Sequence, residues 1–363
     1  MNRNCAHGKL GKRGNRMGET PANTHRIDAL SLLPGELAEI AAEMGMPKFR
    51  AGQVFRWLHA KNAGDFSEMT DIPKNQRAML SEKLAINGAQ VTKKLVSKTD
   101  GTRKLLHRLH DGFLAESAVM EYRHGKSVCI STQAGCRMGC AFCASGRSGL
   151  DRNLSAGEML AQVYGAGGAK RVVLMGCGEP LDNFANLLRF LELAGHRDGA
   201  NIGQRCITIS TCGIAPKIRE LAALGLRVNL AVSLHAPNDG LRARLMPVAA
   251  AYPLPQLMAA CRRYAEATAR RVTYEYTLFG GVNDSEECAA GLAGLLKNTL
   301  CHVNLLNMNE AGGGFAPAGA ARAREFMGAL LARGIPATVR RSLGRDIGAA
   351  CGQLRSGHDG GKN

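Results

Sequence analysis

Gly135-Cys136-Arg137-Met138-Gly139-Cys140-Ala141-Phe142-Cys143 is the stretch that decides the fold of this 363-residue chain. Its cysteines have the spacing C-x3-C-x2-C and follow a predicted strand at 128–132. Three thiolates on one short loop can hold three irons of a [4Fe–4S] cluster and leave the fourth iron open to a small molecule. A zinc site would need a fourth cysteine or histidine at motif spacing, and none is near. The spacing therefore favours an iron–sulfur cluster bound by Cys136, Cys140 and Cys143.

Predicted strands and helices alternate from the cluster loop to residue 341. The strands lie at 128–132, 171–176, 206–211, 228–235, 272–279, 303–308 and 337–341. The clearest helices lie at 155–164, 216–223, 254–267 and 322–332. This alternation indicates a parallel sheet and predicts an α/β fold with a partial (βα)6-type barrel. In such barrels the chemistry takes place on the loops that follow the strands.

Several polar or glycine-flanked residues stand at the carboxyl ends of these predicted strands. Because parallel strands end at one rim, we expect these residues to meet there. A glutamate at this rim can accept a hydrogen bond from an ammonium group of a bound cofactor. The candidate cofactor-binding residues are Glu179, Pro180, Ser210, Ser233, Leu234, His235 and Asn309.

The chain before the barrel divides into smaller parts. Apolar residues recur at helical spacing after residue 29, and alternate with polar residues after residue 91, where Asp100-Gly101 and Asp111-Gly112 indicate hairpin turns. Residues 1 to about 26 are polar and basic, and they form either a flexible arm or a dispensable extension. The predicted division is a flexible basic arm at 1–28, a helical accessory domain that binds RNA at 29–90, a β-meander linker at 91–121, the barrel at 122–345 and a C-terminal segment at 346–363.

Composition narrows the class of protein. Lys plus Arg is 47 and Asp plus Glu is 30, and the net charge of +17 favours a nucleic-acid partner over tails that only aid solubility. No apolar run approaches the roughly 18 residues of a membrane span, and residues 1–26 lack an apolar signal core. The 12 cysteines are scattered through a long chain, which predicts free thiols in a reducing, cytoplasmic compartment.

Basic residues concentrate in two segments. Residues 93–126 carry eight Lys or Arg and four acids, and residues 322–345 carry six Arg and one Glu. Such clusters contact phosphates more than bases. A solvated helix face is the alternative for Arg322 and Arg324. Aromatic residues make up only 5% of the chain, so we expect structured RNA recognised by its shape.

Cys129, Cys351 and Glu116 say little in isolation, since a lone cysteine is usually a small buried apolar residue. Their surroundings are more specific. The informative motifs are Gly45-Met46-Pro47-Lys48-Phe49-Arg50-Ala51, Met69-Thr70-Asp71-Ile72-Pro73, Cys129-Ile130-Ser131-Thr132-Gln133-Ala134-Gly135-Cys136, Gly178-Glu179-Pro180, Ser233-Leu234-His235, Gly281-Val282-Asn283-Asp284 and Ala349-Ala350-Cys351-Gly352-Gln353-Leu354. With these motifs the chain closely resembles the RlmN family of radical S-adenosylmethionine (SAM) enzymes, which methylate adenosine C2 in RNA. The Cfr-type C8 methyltransferases are the sister group.

The resemblance implies an unusual methyl transfer with a [4Fe–4S] cluster and two SAM molecules per turnover. In the family, the first SAM methylates the thiolate that matches Cys351. The second gives an adenosyl radical that takes a hydrogen from this S-methyl group, and the methylene radical adds to the ring carbon. The cysteine that matches Cys129 then attacks Cys351 and leaves a transient disulfide. The glutamate that matches Glu116 is the proton acceptor.

The resemblance further implies 23S rRNA and tRNA as partners, a flavodoxin-like electron donor, a monomer and no membrane. Formation of 8-methyladenosine at the same rRNA adenosine is the alternative. More distant alternatives are a radical SAM enzyme with a non-RNA substrate and a zinc-bearing RNA-binding protein. Asn307-Met308-Asn309-Glu310 departs from the family, in which proline usually precedes and Asn-Pro follows, although Asn309 itself is retained.

Overall fold

The computed structural model describes residues 26–123, 125–147, 149–308, 314–351 and 353–354, together with the backbone of 357–358. Most of the basic arm and the candidate Asn309 therefore lie outside the described residues. The division into five segments stays a prediction. Within the described ranges, no helix combines the length and the apolar character that crossing a membrane requires.

Three helices form the N-terminal region. Its elements are β1 (Ile27–Asp28), α1 (Pro34–Glu43), α2 (Phe49–His59), α3 (Lys74–Lys83) and β2 (Leu84–Ala85). Helix α1 begins at a proline, whose fixed φ suits the first helical position. Helix α2 buries one face in a core that is continuous with that of the barrel. The two parts are also joined by the ion pair of Arg189 with Glu36 and by His59 Nδ1, 2.8 Å from the hydroxyl of Tyr164.

The predicted meander consists of β3 (Gln90–Val96), β4 (Arg103–Arg108) and β5 (Phe113–Tyr122), which pair antiparallel in that order. Strand β5 also pairs with the first barrel strand, β6 (Gly125–Cys129), with Ala118 opposite Cys129. The meander therefore extends the barrel sheet, and its side chains can reach the barrel interior.

The remaining elements form the barrel and its helices. In chain order they are β7 (Gln133–Cys136), β8 (Gly149–Asn153), α4 (Ala156–Gly165), β9 (Arg171–Leu174), α5 (Phe184–Gly195), β10 (Ile207–Thr211), α6 (Ala215–Ala223), β11 (Asn229–Ser233), α7 (Asp239–Leu245), α8 (Val248–Ala251), α9 (Leu254–Thr268), β12 (Val272–Leu278), α10 (Glu286–Leu296), β13 (Cys301–Asn307), α11 (Ala320–Ala332), β14 (Ala337–Arg340) and β15 (Gly357–His358). All predicted strands and helices are present, with ends that differ by at most three residues.

Strands β6, β9, β10, β11, β12, β13 and β14 are parallel neighbours in that order. This confirms the partial (βα)6-type barrel, with the predicted strand at 337–341 present as the seventh parallel strand, β14. Apolar residues dominate these strands because helices cover the outer face of the sheet and side chains fill the inner face. The described cofactor candidates, Asn309 not among them, accordingly lie at one end of the sheet.

The segment after β14 is held by the meander and by the cluster loop. The amide of Gly344 donates to Asp100 Oδ2 at 2.8 Å, and the amide of Lys98 donates to Asp346 Oδ2 at 2.9 Å. Gly344 has a φ of +66°, and a Cβ there would lie 2.8 Å from the Cβ of Ala349. Only glycine therefore fits this turn without displacing its neighbours. The turn leads into the stretch that carries Cys351.

Candidate active site

The cluster loop is fixed by His235 and Phe279, which follow barrel strands, by the end of α7 and by the start of β8. The ring of Phe142 packs edge-on against His235, with ring centroids 4.9 Å apart, and also contacts Phe279. The amide of Ala141 donates to the carbonyl of Leu245 at 3.0 Å. At Gly135, with a φ of +79°, a Cβ would lie 2.0 Å from the carbonyl oxygen of Gly149. These contacts explain why an aromatic residue and a glycine flank the cysteines.

Cys136, Cys140 and Cys143 line one large cavity, which we call the cofactor cavity. It encloses about 980 Å³ with its open mouth included, which is at the upper end of the range for small-molecule sites. Burial raises the pKa of Cys136 to about 12 and also raises the pKa of Cys140. A metal ion would offset this penalty because it holds a coordinating thiol in the deprotonated form. The three residues fit the ligand set of a [4Fe–4S] cluster with one open iron.

The predicted cofactor-binding residues divide into two groups. Ser210, Ser233 and His235 line the cofactor cavity. The side chains of Glu179, Pro180 and Leu234 are buried beside it and do not form its wall. The side chains of the second group therefore pack around the strand ends, outside the cavity wall.

Glu179 shows how this support works. Its Oε2 accepts a hydrogen bond from the amide of Cys212 at 2.7 Å, and its Oε1 accepts one from the amide of Leu181 at 3.0 Å. Burial raises the pKa of the carboxyl group, and these backbone donors oppose the shift. The carboxylate thus ties the loop after β9 to the loop after β10, and any contact with a cofactor uses lone pairs that these donors leave.

His235 is a neutral wall residue. Burial, with a contribution from Arg242, lowers its pKa to about 3. Its Nδ1 accepts a hydrogen bond from the amide of Thr277 at 2.9 Å. The proton of the neutral ring is therefore on Nε2, which can serve as a hydrogen-bond donor in the cavity.

A second cavity of about 550 Å³ lies between the meander, β6 and the C-terminal segment, and we call it the thiol cavity. Cys129 lines it from the end of β6, and Cys351 lines it from the opposite side. Cys129 is buried and Cys351 is exposed. Burial and the neighbouring Cys351 raise the pKa of Cys129 to about 12. The structure therefore brings together two cysteines that are far apart in the sequence.

Cys351 belongs to the walls of both cavities. Among the described residues, the only others that line both cavities are Met175, Leu306 and Arg340. The proximity of the Cys351 sulfur raises the pKa of Arg340, with a further contribution from the carboxylate of Glu275. Arg340 is thus a half-buried cation that lines the same two cavities as Cys351. The expectation that the basic segment 322–345 contacts phosphates stays a prediction, and within that segment Arg340 lines both cavities.

Glu116 lies on β5, on the strand face that also carries Ala118, which is opposite Cys129. The ammonium group of Lys104 is 2.8 Å from Glu116 Oε1 and donates to the carbonyl oxygen of Gly348 at 3.2 Å. Lys104 therefore connects the predicted proton acceptor to the turn that leads to Cys351. The three predicted catalytic residues gather on one side of the barrel.

Several residues of these walls were not predicted from the sequence. Met175 and Thr277 line the cofactor cavity, as does Glu275, whose carboxylate accepts a hydrogen bond from Asn304 at 2.8 Å. Glu275 and Thr277 lie within β12, where alternating inward positions could have indicated them. Met175 resembles any other core residue in the sequence, so no signal pointed to it.

Two family profiles match separate parts of the chain. The profile of the radical SAM superfamily matches residues 130–290. The profile described as the ribosomal RNA large subunit methyltransferase N-terminal domain matches residues 27–86. The two profiles thus cover the cluster loop, most of the barrel and the helical N-terminal region.

Known proteins are similar over most of the chain. A protein of Clostridium novyi called "Probable dual-specificity RNA methyltransferase RlmN" is 48% identical over 85% of this chain and 92% of its own length. The protein of the same name from Alkaliphilus oremlandii is 47% identical over 92% of this chain and 98% of its own length. The crystal structure of a radical SAM methyltransferase from Sphaerobacter thermophilus, 44% identical, aligns with a TM-score of 0.88 over 91% of this chain and 99% of its own.

Proposed function

Because the chain belongs to the RlmN family of radical SAM RNA methyltransferases, we propose that it forms 2-methyladenosine in RNA. The proposed sites are an adenosine at the peptidyl-transferase centre of 23S rRNA and the purine next to the anticodon of tRNA. The observation that carries the proposal is the position of Cys351 in the walls of both cavities. A residue placed there can receive a methyl group from one cavity and deliver its carbon in the other.

Adenine C2 is electrophilic, so it cannot attack the methyl group of SAM directly. When bound, the cluster and two SAM molecules supply a methyl group and a radical able to remove a hydrogen atom. In our proposal Cys351 accepts the methyl group as a thiolate, with the guanidinium of Arg340 stabilising its charge. The methyl carbon then links the sulfur of Cys351 to the ring carbon of the RNA base, which must be extruded from its helix to reach the barrel. Replacement of the ring hydrogen requires that it leave as a proton and that the adduct give up one electron, which the cluster, when bound, could take back.

Cys129 is the proposed group that breaks this bridge. Its sulfur attacks the sulfur of Cys351, the bond from Cys351 to the methyl carbon breaks, and the carbon keeps the electron pair and takes a proton. The product is methylated RNA and a disulfide between Cys129 and Cys351. The raised pKa of Cys129 keeps its thiol protonated at rest, so it must lose its proton for the attack. Glu116 is the proposed proton acceptor.

The proposal has further parts that concern partners. An external reductant, of the flavodoxin type, supplies electrons to the cluster. The names of the relatives describe a dual-specificity RNA methyltransferase, which supports action on both rRNA and tRNA. We also propose that the protein acts as a monomer in the cytoplasm, where such substrates are present.

The substitution Cys129→Ala tests the mechanism. We expect it to accumulate a covalent protein–RNA adduct through Cys351, because the bridge forms and cannot be broken. Cys261→Ala is the matched control, since Cys261 is also buried but lines neither cavity. The double variant Cys129→Ala/Cys351→Ala should form no adduct. Continued RNA methylation without an adduct would show that the mechanism is wrong.

Mass mapping of the methylated nucleoside tests the position of the methyl group. We expect 2-methyladenosine in both RNAs. Finding 8-methyladenosine alone would exclude the proposed C2 chemistry while leaving the two-cysteine mechanism intact. A reaction that needs neither Cys351 nor RNA would point to another substrate.

A further inference from the structure

The loops that precede the barrel strands carry a row of basic residues on the face opposite the cofactor cavity. Strand β9 begins at Arg171 and follows Lys170, and strand β12 follows Arg270 and Arg271. Arg205 lies two residues before β10, and Arg227 lies two residues before β11. We call these six residues the basic rim. They come from four separate connections, so no window of the sequence shows them as a cluster.

The strand register places these residues side by side. Val172 pairs with Ile207, which aligns the start of β9 with the start of β10. Thr208 pairs with Asn229, and Leu230 pairs with Val272, which extends the alignment to β11 and β12. Neighbouring strands are about 4.8 Å apart, so the row crosses about 14 Å of the barrel end. Five of the six side chains are exposed, and Arg270 is half-buried.

The rim charge is not neutralised within the protein. Among the described residues, no carboxylate forms an ion pair with any of the six. Neutral amide side chains hold the backbone of the rim. Asn229 Nδ2 donates to the carbonyl of Arg205 at 2.9 Å, and Gln204 Oε1 accepts from the amide of Arg227 at 2.8 Å. The guanidinium of Arg270 also donates to Asn229 Oδ1. Clustered like charges lower the stability of the folded state, which suggests that a polyanion binds them.

We propose that the basic rim is a second RNA-binding surface, which contacts the phosphates of a helical segment of the large rRNA substrate remote from the target adenosine. An RNA duplex carries about one charge per 1.7 Å of its axis by analogy with DNA, so a 14 Å row of cations can face several phosphates. The proposal builds on the family's RNA substrates and adds a site to the one at the cavity mouth.

The distance between the two faces determines which RNA can use the rim. Strand β12 has seven residues, so its ends are about 23 Å apart. A long, folded rRNA can reach around the barrel once its target base is bound, and the linkage raises the effective concentration of its other helices at the rim. An anticodon stem-loop is too short to occupy both faces. An acidic electron-donor protein fits the rim less well, because the cluster loop lies at the opposite end of the strands.

Charge reversal tests the proposal in the complete holoenzyme. The rim variant is Arg171→Glu/Arg205→Glu/Arg227→Glu. The control is Arg219→Glu/Arg263→Glu/Arg324→Glu on the outer helices α6, α9 and α11, which changes the net charge equally. Binding of protein-free 23S rRNA and of an anticodon stem-loop is measured as a function of salt. Iron content and methylation of the stem-loop report whether each variant is folded.

We expect the rim variant to bind rRNA about 10²- to 10³-fold more weakly than the control at 0.1 M salt, with a salt slope lower by about 3. Stem-loop binding and methylation should match the control within about twofold. Equal losses for both RNAs, or no loss for rRNA, would overturn the proposal. Slower reduction of the cluster with unchanged RNA binding would instead assign the rim to an acidic protein. If charge reversal prevents folding, the corresponding Arg→Gln variant gives the same comparison. Failure of the unaltered enzyme to methylate either RNA would contradict the proposed function and leave the binding comparison valid.

Discussion

The cofactor cavity and the thiol cavity share a wall but are built in different ways. The cofactor cavity combines one short loop, Gly135–Cys143 in sequence, with the ends of successive parallel strands. The thiol cavity combines the meander, the end of β6 and a segment near the carboxyl terminus. The first follows from the geometry of any parallel barrel, whereas the second depends on contacts particular to this chain. We therefore expect substitutions to affect the two cavities separately, except at the shared wall.

The largest expected effects come from removing Cys140 of the cluster loop or Cys351 of the wall that the two cavities share. Cys140→Ala should abolish methylation and also lower the iron content, because the cluster loses a ligand. Cys351→Ala should lower RNA methylation by at least about 10³-fold while the iron content stays unchanged, because covalent catalysis is lost without damage to the cluster. Iron analysis and RNA methylation after anaerobic purification measure both. Loss of iron in Cys351→Ala would show that the cavities are not independent.

Arg340 tests the shared wall. Arg340→Met should slow methylation of Cys351 about 10- to 100-fold, because a charge-assisted interaction with the thiolate contributes about 1.5–3 kcal/mol. Arg340→Lys should recover part of the rate, since it restores the charge but not the shape of the guanidinium. Single-turnover transfer of a labelled methyl group from SAM to the protein gives the rate. An unchanged rate in Arg340→Met would leave Arg340 with a packing role only.

A smaller effect is expected from the turn that carries the C-terminal segment. Gly344→Ala adds a Cβ 2.8 Å from Ala349 Cβ at a φ of +66°. Gly319→Ala is the matched control, because its φ of +85° gives similar strain and no described atom lies within 4 Å. The control should lose about 1–2 kcal/mol of unfolding free energy and keep its activity. Gly344→Ala should also lose methylation activity roughly tenfold, because Cys351 is displaced.

The iron content of Gly344→Ala and Gly319→Ala shows whether either substitution also disturbs the cofactor cavity. We expect both glycine variants to keep the cluster, since neither residue contacts the cluster loop. Equal activity in the two variants would show that the turn at Gly344 does not position Cys351.

The construction of each cavity also explains which of its residues could be predicted from the sequence. The seven parallel strands and the cluster loop follow from hydrophobic periodicity and from the spacing of Cys136, Cys140 and Cys143, both of which are local patterns. Ser210, Ser233 and His235 could be placed because every parallel strand ends at the same rim. Glu179 was also found, but its hydrogen bonds to two backbone amides depend on how neighbouring loops pack.

Resemblance to a family, and not spacing, indicated Glu116, Cys129 and Cys351. Periodicity treats each of them as an ordinary strand or loop residue. The place of Arg340 in the walls of both cavities was missed, because charge alone does not reveal which face of β14 points into the barrel. The basic rim was missed for a related reason, since its residues come from four connections that only the strand register brings together.

The sequence by itself determined the barrel, the loop that carries Cys136, Cys140 and Cys143, and the family, because these depend on contiguous motifs and on the repeat of strand and helix. Only the tertiary structure decided that Cys351 faces Cys129 on one side and the cofactor cavity on the other. The physical reason is that this position depends on a few long-range hydrogen bonds. The ammonium group of Lys104 and the carboxylate of Asp100 hold a turn that is more than 240 residues away in the chain.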